Sequence, residues 1–258
     1  MKKLLWFVAI VVVWSCGASA ETVRVGVTAG PHAQILEAVV PEAKKLGLDV
    51  KVVEFTDYII PNQALANKEI EINSFQHEPY LKNQIAKTNW KLAKVAYTIA
   101  SPMGFYSTKY KNFSDIPAGA TIAIQNDPTN GARSLQLLAA NGIIKLRDGA
   151  GVTAGVADIA DNPKNFKFIE LDAAQLPRSL PDVDAAAVNN NYAVQAGLDP
   201  VKDSLIKETN DGPWVNIIAV REEDKDKPWV ATFAQAYRSD AVKHFIEEKF
   251  KGAYVPAW

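Results

Sequence analysis

Residues 126–133 read Asn-Asp-Pro-Thr-Asn-Gly-Ala-Arg and bring together groups that can bind an anion. The stretch follows an apolar strand pattern at 121–124 and leads into an apolar helix pattern. Asp127 is a preferred N-cap residue, and Pro128 then falls at the first helical position, where its missing N–H costs nothing. Arg133 therefore lies early in a helix, near an end that already carries partial positive charge. Free backbone N–H groups and a guanidinium together favour a carboxylate ligand. Pairing of Arg133 with a structural acid elsewhere explains the spacing equally well.

Three rings occur close together in the stretch 75–80. Phe75 and His77 share a face if a strand continues through them, and His77 and Tyr80 lie one turn apart if a helix begins there. Such a cluster can enclose an apolar or thioether side chain, because sulfur packs well against ring edges. An ordinary aromatic core contact is the alternative. His77 and Glu78 resemble an acid–base pair, but adjacent residues point apart, so we do not expect a catalytic dyad.

Amide side chains mark two further positions. Asn189 opens a run of three asparagines at the end of a predicted strand, and capping explains one of them more easily than all three. An amide offers both a donor and an acceptor, which suits a zwitterionic ligand. Asn216 lies inside the apolar run 214–218, and a buried amide without partners costs roughly 1–3 kcal/mol. Its partner is either a ligand or a neighbouring backbone group.

The composition excludes several functional classes. The 258 residues carry a net charge of −1, and no basic run appears, so we expect no nucleic-acid partner. The three histidines are never clustered and the only cysteine is Cys16, so no metal site and no cofactor is expected. Nucleophile-elbow, P-loop and dinucleotide motifs are missing from the sequence, which argues against an enzyme.

The first twenty residues form a predicted signal peptide. Two lysines precede an apolar run at 4–14, which has about half the length of a membrane-spanning helix. Ala-Ser-Ala at 18–20 is a signal-peptidase site, and cleavage before Glu21 would release a soluble periplasmic protein. The stretch Val-Trp-Ser-Cys at 13–16 is the alternative, since it resembles a lipobox and would leave a membrane-anchored lipoprotein with lipid on Cys16.

From residue 22 onward, strand and helix patterns alternate, which predicts an α/β fold with mostly parallel sheets. We expect a strand over 70–75, a last strand over 213–220, and a helix that Pro41 kinks or breaks. Ligands in such folds bind beyond the carboxyl ends of strands. Polar segments follow four strands and can converge on one cleft: 28–32, 75–80, 126–133 and 189–192.

Eight ordered motifs give the chain a specific resemblance. They include Phe-Gln-His-x-Pro-Tyr at 75–80, Asn-Asp-Pro-Thr-Asn-x-x-Arg at 126–133 and Val-Asn-x-Ile-x-Val-Arg at 215–221; the others lie at 61–65, 102–107, 142–146, 162–165 and 175–180. Across residues 22–258 the chain resembles the NlpA lipoprotein family, the methionine-binding substrate-binding proteins of ABC importers.

The resemblance implies a bilobed periplasmic-binding-protein fold of type II, with two α/β lobes around a central ligand cleft. The first lobe would comprise residues 21–105 plus 208–258 and the second residues 106–207, with approximate boundaries. The family's partners are an ABC permease and its ATPase, and we expect this chain to be a monomer that is not an enzyme.

The resemblance also implies roles for individual side chains. Arg133 would bind the ligand carboxylate, with Asn189 and Asn216 completing the polar contacts to carboxylate and ammonium. The ligand side chain would be enclosed by three rings, those of Phe75, His77 and Tyr80.

Methionine, as either enantiomer, is the ligand that this resemblance favours. Two features depart from the family pattern: Ser101 stands where some members carry a ring, and Trp14 is bulky for a lipobox. Another apolar amino acid and a methionyl dipeptide therefore stay open as ligands. A periplasmic dehydratase or lyase on the same scaffold is the alternative from another class, with His77 or Glu78 as its acid or base.

Overall fold

The computed structural model describes residues 21–258. The predicted signal peptide and Cys16 lie outside these residues. The strands are β1 (Glu21–Thr28), β2 (Leu48–Phe55), β3 (Ile72–Asn73), β4 (Leu92–Tyr97), β5 (Ile99–Ala100), β6 (Gly104–Tyr106), β7 (Thr121–Gln125), β8 (Lys145–Leu146), β9 (Ile159–Asp161), β10 (Lys167–Leu171), β11 (Ala185–Val188), β12 (Ile206–Lys207), β13 (Ile217–Arg221) and β14 (Val255–Pro256).

Between residues 21 and 258, eight α-helices connect or cover these strands. They are α1 (Pro31–Lys45), α2 (Ile60–Ala66), α3 (Glu78–Thr88), α4 (Pro128–Ala140), α5 (Leu176–Ser179), α6 (Asn190–Gln195), α7 (Pro228–Tyr237) and α8 (Asp240–Phe250). Many of them begin with a residue that is typical of helix starts, such as the proline in the first turn of α1, α3, α4 and α7. No helix within residues 21–258 combines the length and apolar character that crossing a bilayer requires.

Two five-stranded sheets organise the described chain. The first has the order β2-β1-β3-β13-β4, and the second has the order β10-β7-β11-β6-β12. Each sheet has its own apolar core: Val25, Ile35 and Phe233 are fully buried around the first, and Phe105 and Leu135 around the second. The chain passes between the sheets twice, at 98–103 and 208–216. This is the expected bilobed α/β fold, and we call the part around the first sheet lobe 1 and the part around the second lobe 2.

The expectation of mostly parallel sheets is wrong. Each sheet contains two parallel and two antiparallel pairings. The antiparallel pairings involve β4 and β13 in lobe 1, and β6 and β12 in lobe 2. These are the strands next to the two connections between lobes, where the chain enters or leaves a sheet without a crossover helix.

Three local predictions also differ from the structure. Helix α1 runs unbroken through Pro41, because this proline lies on the exposed side, where water can satisfy the carbonyl group that loses its partner. The predicted strands over 70–75 and 213–220 are shorter, as β3 and β13. Their flanks still pair through single backbone bonds, such as Ser74 N–H to Gly26 O at 2.9 Å.

Candidate ligand-binding site

A cavity lies between the two lobes. All six predicted site residues line it, and each of the four polar segments that follow strands contributes at least one side chain. The residues that line it are His32, Tyr58, Phe75, Gln76, His77, Tyr80, Ser101, Asn130, Arg133, Asn189, Asn190, Asn191 and Asn216. The predicted convergence of these segments on one cleft is therefore confirmed.

The predicted start of α4 is also confirmed. Asp127 is the N-cap, and its Oδ1 accepts hydrogen bonds from the backbone N–H groups of Thr129 and Asn130 at 3.2 and 2.9 Å. Its Oδ2 accepts from Asn130 Nδ2 at 2.8 Å. The cap thus fixes both the helix start and the side chain of Asn130, one turn before Arg133 on the same helix.

Arg133 is buried and makes a bidentate ion pair with Glu208. Its Nε donates to Glu208 Oε1 at 2.7 Å, and its Nη2 donates to Glu208 Oε2 at 2.6 Å and to Ser101 O at 2.8 Å. The structural acid considered as an alternative partner therefore exists. Within residues 21–258, Arg133 Nη1 makes no hydrogen bond, so part of the guanidinium remains available at the cavity wall.

Hydrogen-bond partners fix the orientation of the Asn189 amide. Gln125 Nε2 donates to Ala187 O at 3.2 Å and to Asn189 Oδ1 at 2.8 Å. Asn189 Nδ2 donates to Asn130 Oδ1 at 2.9 Å, and Asn130 is itself fixed by Asp127. One N–H of Asn189 is left without a partner in the described chain, so this residue offers the cavity a donor.

His77 uses both ring nitrogens in hydrogen bonds. Its Nδ1 accepts from the backbone N–H of Tyr80 at 3.1 Å, so the proton resides on Nε2, which lies 3.3 Å from Asn130 Oδ1. Burial, together with the charge of Arg133, lowers the pKa of His77 to about 3. The ring packs edge-on against Trp214, with centroids 5.1 Å apart. His77 is therefore a neutral wall of the cavity rather than a free base.

Glu78 is directed away from His77. Its carboxylate contacts Lys82 at 2.9 Å, and it contacts Lys94 and Tyr97 at 2.6 Å. Burial opposes ionisation, but these hydrogen bonds outweigh it and lower the pKa of Glu78 to about 2. The neighbouring pair His77 and Glu78 thus belongs to two separate networks, as the sequence analysis expected.

Asn216 lies immediately before β13 and opposite His77 in an isolated antiparallel bridge. Its Nδ2 donates to Phe75 O at 3.3 Å and lies 2.9 Å from His32 Nε2. Its Oδ1 makes no hydrogen bond within residues 21–258. Asn216 therefore presents an acceptor, whereas Asn189 presents a donor.

Aromatic rings form the apolar side of the cavity. The Tyr58 ring lies 6.0 Å from that of Phe75, 6.3 Å from that of Tyr80 and 5.0 Å from that of Tyr192. Tyr80 donates its hydroxyl to Tyr58 O at 2.9 Å, which ties two of these rings together. Burial raises the pKa of Tyr58, so its hydroxyl stays protonated.

Several hydrogen bonds join the two lobes around the cavity. Tyr58 donates its hydroxyl to Asn191 Oδ1 at 2.5 Å, and Tyr192 donates to Thr56 O at 3.1 Å. Asn190 Nδ2 donates to Ala253 O. Lobe 1 and lobe 2 are therefore in direct contact around the cavity, and the cleft between them is closed.

The cavity wall carries little net charge. Arg133 is the only formally charged residue among those that line it, and Glu208 neutralises it. Burial lowers the pKa of His32 to about 4, so this ring is neutral at physiological pH, as is that of His77. Within residues 21–258, no group of three or more His, Cys, Asp or Glu side chains is arranged to hold a metal ion. The arrangement suits a small ligand of zero net charge.

Three residues with important contacts at this site lie outside the motifs that sequence reasoning singled out: Glu208, Tyr58 and His32. Glu208 is an ordinary acidic residue in a polar connection, and its contact with Arg133 spans 75 positions. Tyr58 and His32 carry no local signal beyond their residue type. His32 does lie in the polar segment 28–32, and this position was the only sequence signal that it could belong to the site.

The family model described as NlpA lipoprotein matches residues 23–258. The chain belongs to the NlpA lipoprotein family. This family member is 44% identical to the D-methionine-binding lipoprotein MetQ of Yersinia pestis over 249 residues, which cover 94% of this chain and 92% of that protein. It is also 44% identical to Outer membrane lipoprotein 2 of Mannheimia haemolytica over 236 residues, 91% of this chain and 86% of that protein.

Solved structures agree with this family assignment. A nutrient binding protein from Burkholderia cenocepacia bound to methionine superimposes on this NlpA lipoprotein family member with a TM-score of 0.90 and 49% sequence identity. The match covers 92% of this chain and all of that one. The bilobed α/β fold of the family member is therefore that of a solved methionine-bound protein.

Proposed function

We propose that the protein is an extracytoplasmic substrate-binding protein that captures methionine, as the L or D enantiomer, and delivers it to an ABC permease with its ATPase. The names of its relatives support this proposal, since MetQ of Yersinia pestis is named as a D-methionine-binding lipoprotein and the Burkholderia cenocepacia protein is bound to methionine. The chain acts by binding rather than by catalysis.

The observation that carries the proposal is the placement of donors, acceptor and rings around one cavity. Arg133 Nη1 and the free N–H of Asn189 are donors for the ligand carboxylate. Asn216 Oδ1 is an acceptor for the ligand ammonium. Phe75, His77 and Tyr80 line the same cavity and would enclose the thioether side chain.

Charge narrows the ligand class. A zwitterionic amino acid with an apolar side chain has no net charge, which matches a wall whose one charged residue is already paired with Glu208. A lysine or glutamate ligand would bring an unpaired charge into a buried site, which is strongly unfavourable.

Capture would follow from closure of the two lobes. We propose that lobe 1 comprises residues 21–105 plus 208–258 and lobe 2 residues 106–207, with approximate boundaries; β6 crosses the first of them. A ligand that contacts both lobes stabilises the closed form, and about 5 kcal/mol of preference would shift a mostly open population to a mostly closed one. A monomer suffices for this mechanism.

The location is part of the proposal. The sequence favours a soluble periplasmic protein cleaved before Glu21. The word lipoprotein in the names of several relatives supports an extracytoplasmic location and the alternative form, which is tethered to the membrane through Cys16. The mass of the mature protein distinguishes the two forms, because lipidation adds acyl chains and starts the chain at Cys16. If Cys16→Ser leaves the mature mass and membrane association unchanged, the tethered form is excluded.

Calorimetric titration of the refolded, ligand-stripped protein tests the function. Methionine should bind as at least one of its two enantiomers, norleucine should bind more weakly, and lysine and glutamate should not bind. The Arg133→Lys variant should lose at least tenfold in affinity, because the single nitrogen of lysine cannot hold Glu208 as the Nε and Nη2 of arginine do and also donate to the ligand carboxylate. Absence of binding to every amino acid in wild-type protein would overturn the proposal, and a chemically altered ligand after long incubation would favour the dehydratase or lyase alternative.

A further inference from the structure

We infer that His32 is a positioning residue that turns the Asn216 side chain so that its oxygen accepts from the ligand's ammonium group. The inference rests on the proposed function for the identity of the ligand. The orientation itself follows from hydrogen bonds among Thr28, His32, Phe75 and Asn216 in the described chain.

The amide of Asn216 is oriented by a backbone carbonyl. Asn216 Nδ2 lies 3.3 Å from Phe75 O, which can only accept a hydrogen bond. Rotating the amide by 180° would bring Asn216 Oδ1 against that carbonyl oxygen, and two acceptors would face each other. The nitrogen must therefore lie on the Phe75 side.

The orientation of Asn216 determines the tautomer of His32. His32 Nε2 lies 2.9 Å from Asn216 Nδ2, a donor, so Nε2 must be the unprotonated nitrogen. The proton then resides on Nδ1, which lies 2.8 Å from Thr28 Oγ1 and donates to it. Burial disfavours the imidazolium form, in which both nitrogens would be donors and Nε2 would oppose the Asn216 amide.

The position of the His32 ring is itself constrained. The side chain is buried with 4% exposure, and the ring packs edge-on against Tyr254 with centroids 6.0 Å apart. Thr28, at the end of β1, is 1% exposed. A buried hydroxyl, a buried imidazole and an amide at the cavity wall thus form a continuous chain of hydrogen bonds from the end of β1 to the ligand cavity.

These hydrogen bonds make the site at Asn216 selective for ligands that carry an amino group. With both N–H directions of Asn216 taken by Phe75 and His32, its Oδ1 is left to face a ligand donor. An ammonium group satisfies that oxygen, whereas an analogue without the amino group leaves it unpaired beside the cavity. Loss of these hydrogen bonds would let the Asn216 amide rotate. The gain in affinity that an amino group gives the ligand would then be smaller.

The first test reads the tautomer directly in ligand-free protein. Long-range ¹H–¹⁵N correlation spectra distinguish protonated from unprotonated ring nitrogens. We expect His32 Nδ1 to be protonated and Nε2 unprotonated, the reverse of His77, whose Nδ1 accepts from Tyr80 N–H. A protonated Nε2 on His32 would overturn the inference, whether or not the protein binds methionine.

The second test uses the isosteric variant Thr28→Val, which removes the acceptor for Nδ1–H and keeps the side-chain shape. Its affinity for methionine should fall roughly three- to tenfold, as expected for one hydrogen bond of ordinary strength. Its affinity for 4-(methylsulfanyl)butanoate, which is methionine without the amino group, should stay within twofold. Thr108→Val is the control for the loss of one hydroxyl hydrogen bond, because Thr108 donates to Leu180 O and neither of these residues lines the cavity, whereas His32, the partner of Thr28, does.

Equal weakening of both ligands by Thr28→Val would indicate a merely structural role and contradict the inference. His32 itself offers an independent comparison: His32→Gln, whose Oε1 can replace the Nε2 acceptor, should bind methionine more tightly than His32→Leu. Indistinguishable affinities of these two variants would also overturn the inference. If wild-type protein bound no methionine, the proposed function would fail, and the tautomer would still decide the orientation of Asn216.

Discussion

Glu208 gives Arg133 a fixed orientation before any ligand arrives. A guanidinium buried alone would be strongly unfavourable, and hydrogen bonds from Nε and Nη2 to one carboxylate offset that penalty. Glu208 Oε2 also accepts from the backbone N–H of Met103 at 2.8 Å. The carboxylate therefore ties α4 to both connections between the lobes, which makes it a structural as well as an electrostatic partner.

The first prediction separates stability from binding at this ion pair. Arg133→Met leaves the mostly buried Glu208 carboxylate without its charged partner, so the free energy of unfolding should fall by about 3–5 kcal/mol. The double variant Arg133→Met/Glu208→Gln should recover much of that stability, since no buried charge remains. Urea unfolding measures both changes.

Methionine affinity should stay low in the same double variant, as titration calorimetry can verify. Recovery of affinity together with stability would mean that Arg133 serves the fold alone. In that case the carboxylate of the ligand would have to bind elsewhere in the cavity.

At the scale of elements, the N-terminus of α4 couples helix capping to the site. Asp127→Ala removes the cap and should lower the free energy of unfolding by about 0.5–2 kcal/mol. It also frees the Asn130 amide, whose Oδ1 holds Asn189 at 2.9 Å. Methionine affinity should therefore fall several-fold, as measured by calorimetry.

Ser239→Ala is the matched control for this cap. Ser239 caps α8 by accepting from Val242 N–H at 3.3 Å, and it does not line the cavity. It should cost similar stability without weakening methionine binding. Equal loss of affinity in both variants would show that capping acts through overall stability and not through Asn130.

The elements that sequence predicts well are those whose causes are local. The start of α4 follows from Asp127 and Pro128, and the carboxyl ends of strands bring the four polar segments together. The types and positions of the six predicted site residues made them candidates, and the family resemblance supplied their expected roles. Their roles in binding a ligand stay predictions until titration tests them.

The remaining features depend on contacts between distant parts of the chain. β12 has two residues, too few for a period-two pattern, and its pairing with β6 is set by where the chain leaves lobe 2. The partner of Arg133 could not be chosen from sequence, because many acids share the residue type of Glu208. The donor and acceptor directions of Asn189 and Asn216 likewise come from neighbours distant in sequence.

At the scale of the whole molecule, hydrogen bonds between lobes help to hold the cleft closed. Tyr58→Phe keeps the ring in the aromatic wall and removes only the hydroxyl that donates to Asn191 Oδ1. Methionine affinity should fall about two- to tenfold, because one hydrogen bond of the closed form is lost. Calorimetry gives the affinity, and small-angle X-ray scattering should show a more expanded average form without ligand.

Tyr97→Phe controls for the loss of a hydroxyl. Tyr97 contacts Glu78 and Lys94 on the surface of lobe 1, with no partner in lobe 2 among these contacts. Its affinity and its scattering profile should match those of wild-type protein. An unchanged Tyr58→Phe variant would mean that this hydroxyl contributes nothing to closure.

Two buried neutral histidines make the stability of the whole protein depend on pH. The folded pKa is about 4 for His32 and about 3 for His77, both lowered first by burial, against an unfolded value of about 6.5. Between these values the unfolded chain binds protons that the folded protein does not, so stability is complete above about pH 6.5 and falls with pH below it. Each histidine should lower the equilibrium constant for folding by up to about tenfold for each unit by which the pH falls.

Urea unfolding at pH 7, 6 and 5 measures this dependence. Near pH 5 the two histidines together should take up about two protons when the protein unfolds. The His32→Gln variant should take up about one proton fewer than wild-type protein. A wild-type slope that His32→Gln does not reduce would mean that His32 accepts a proton in the folded protein, and the hydrogen bond from Asn216 to its Nε2 could not then persist as acid is added.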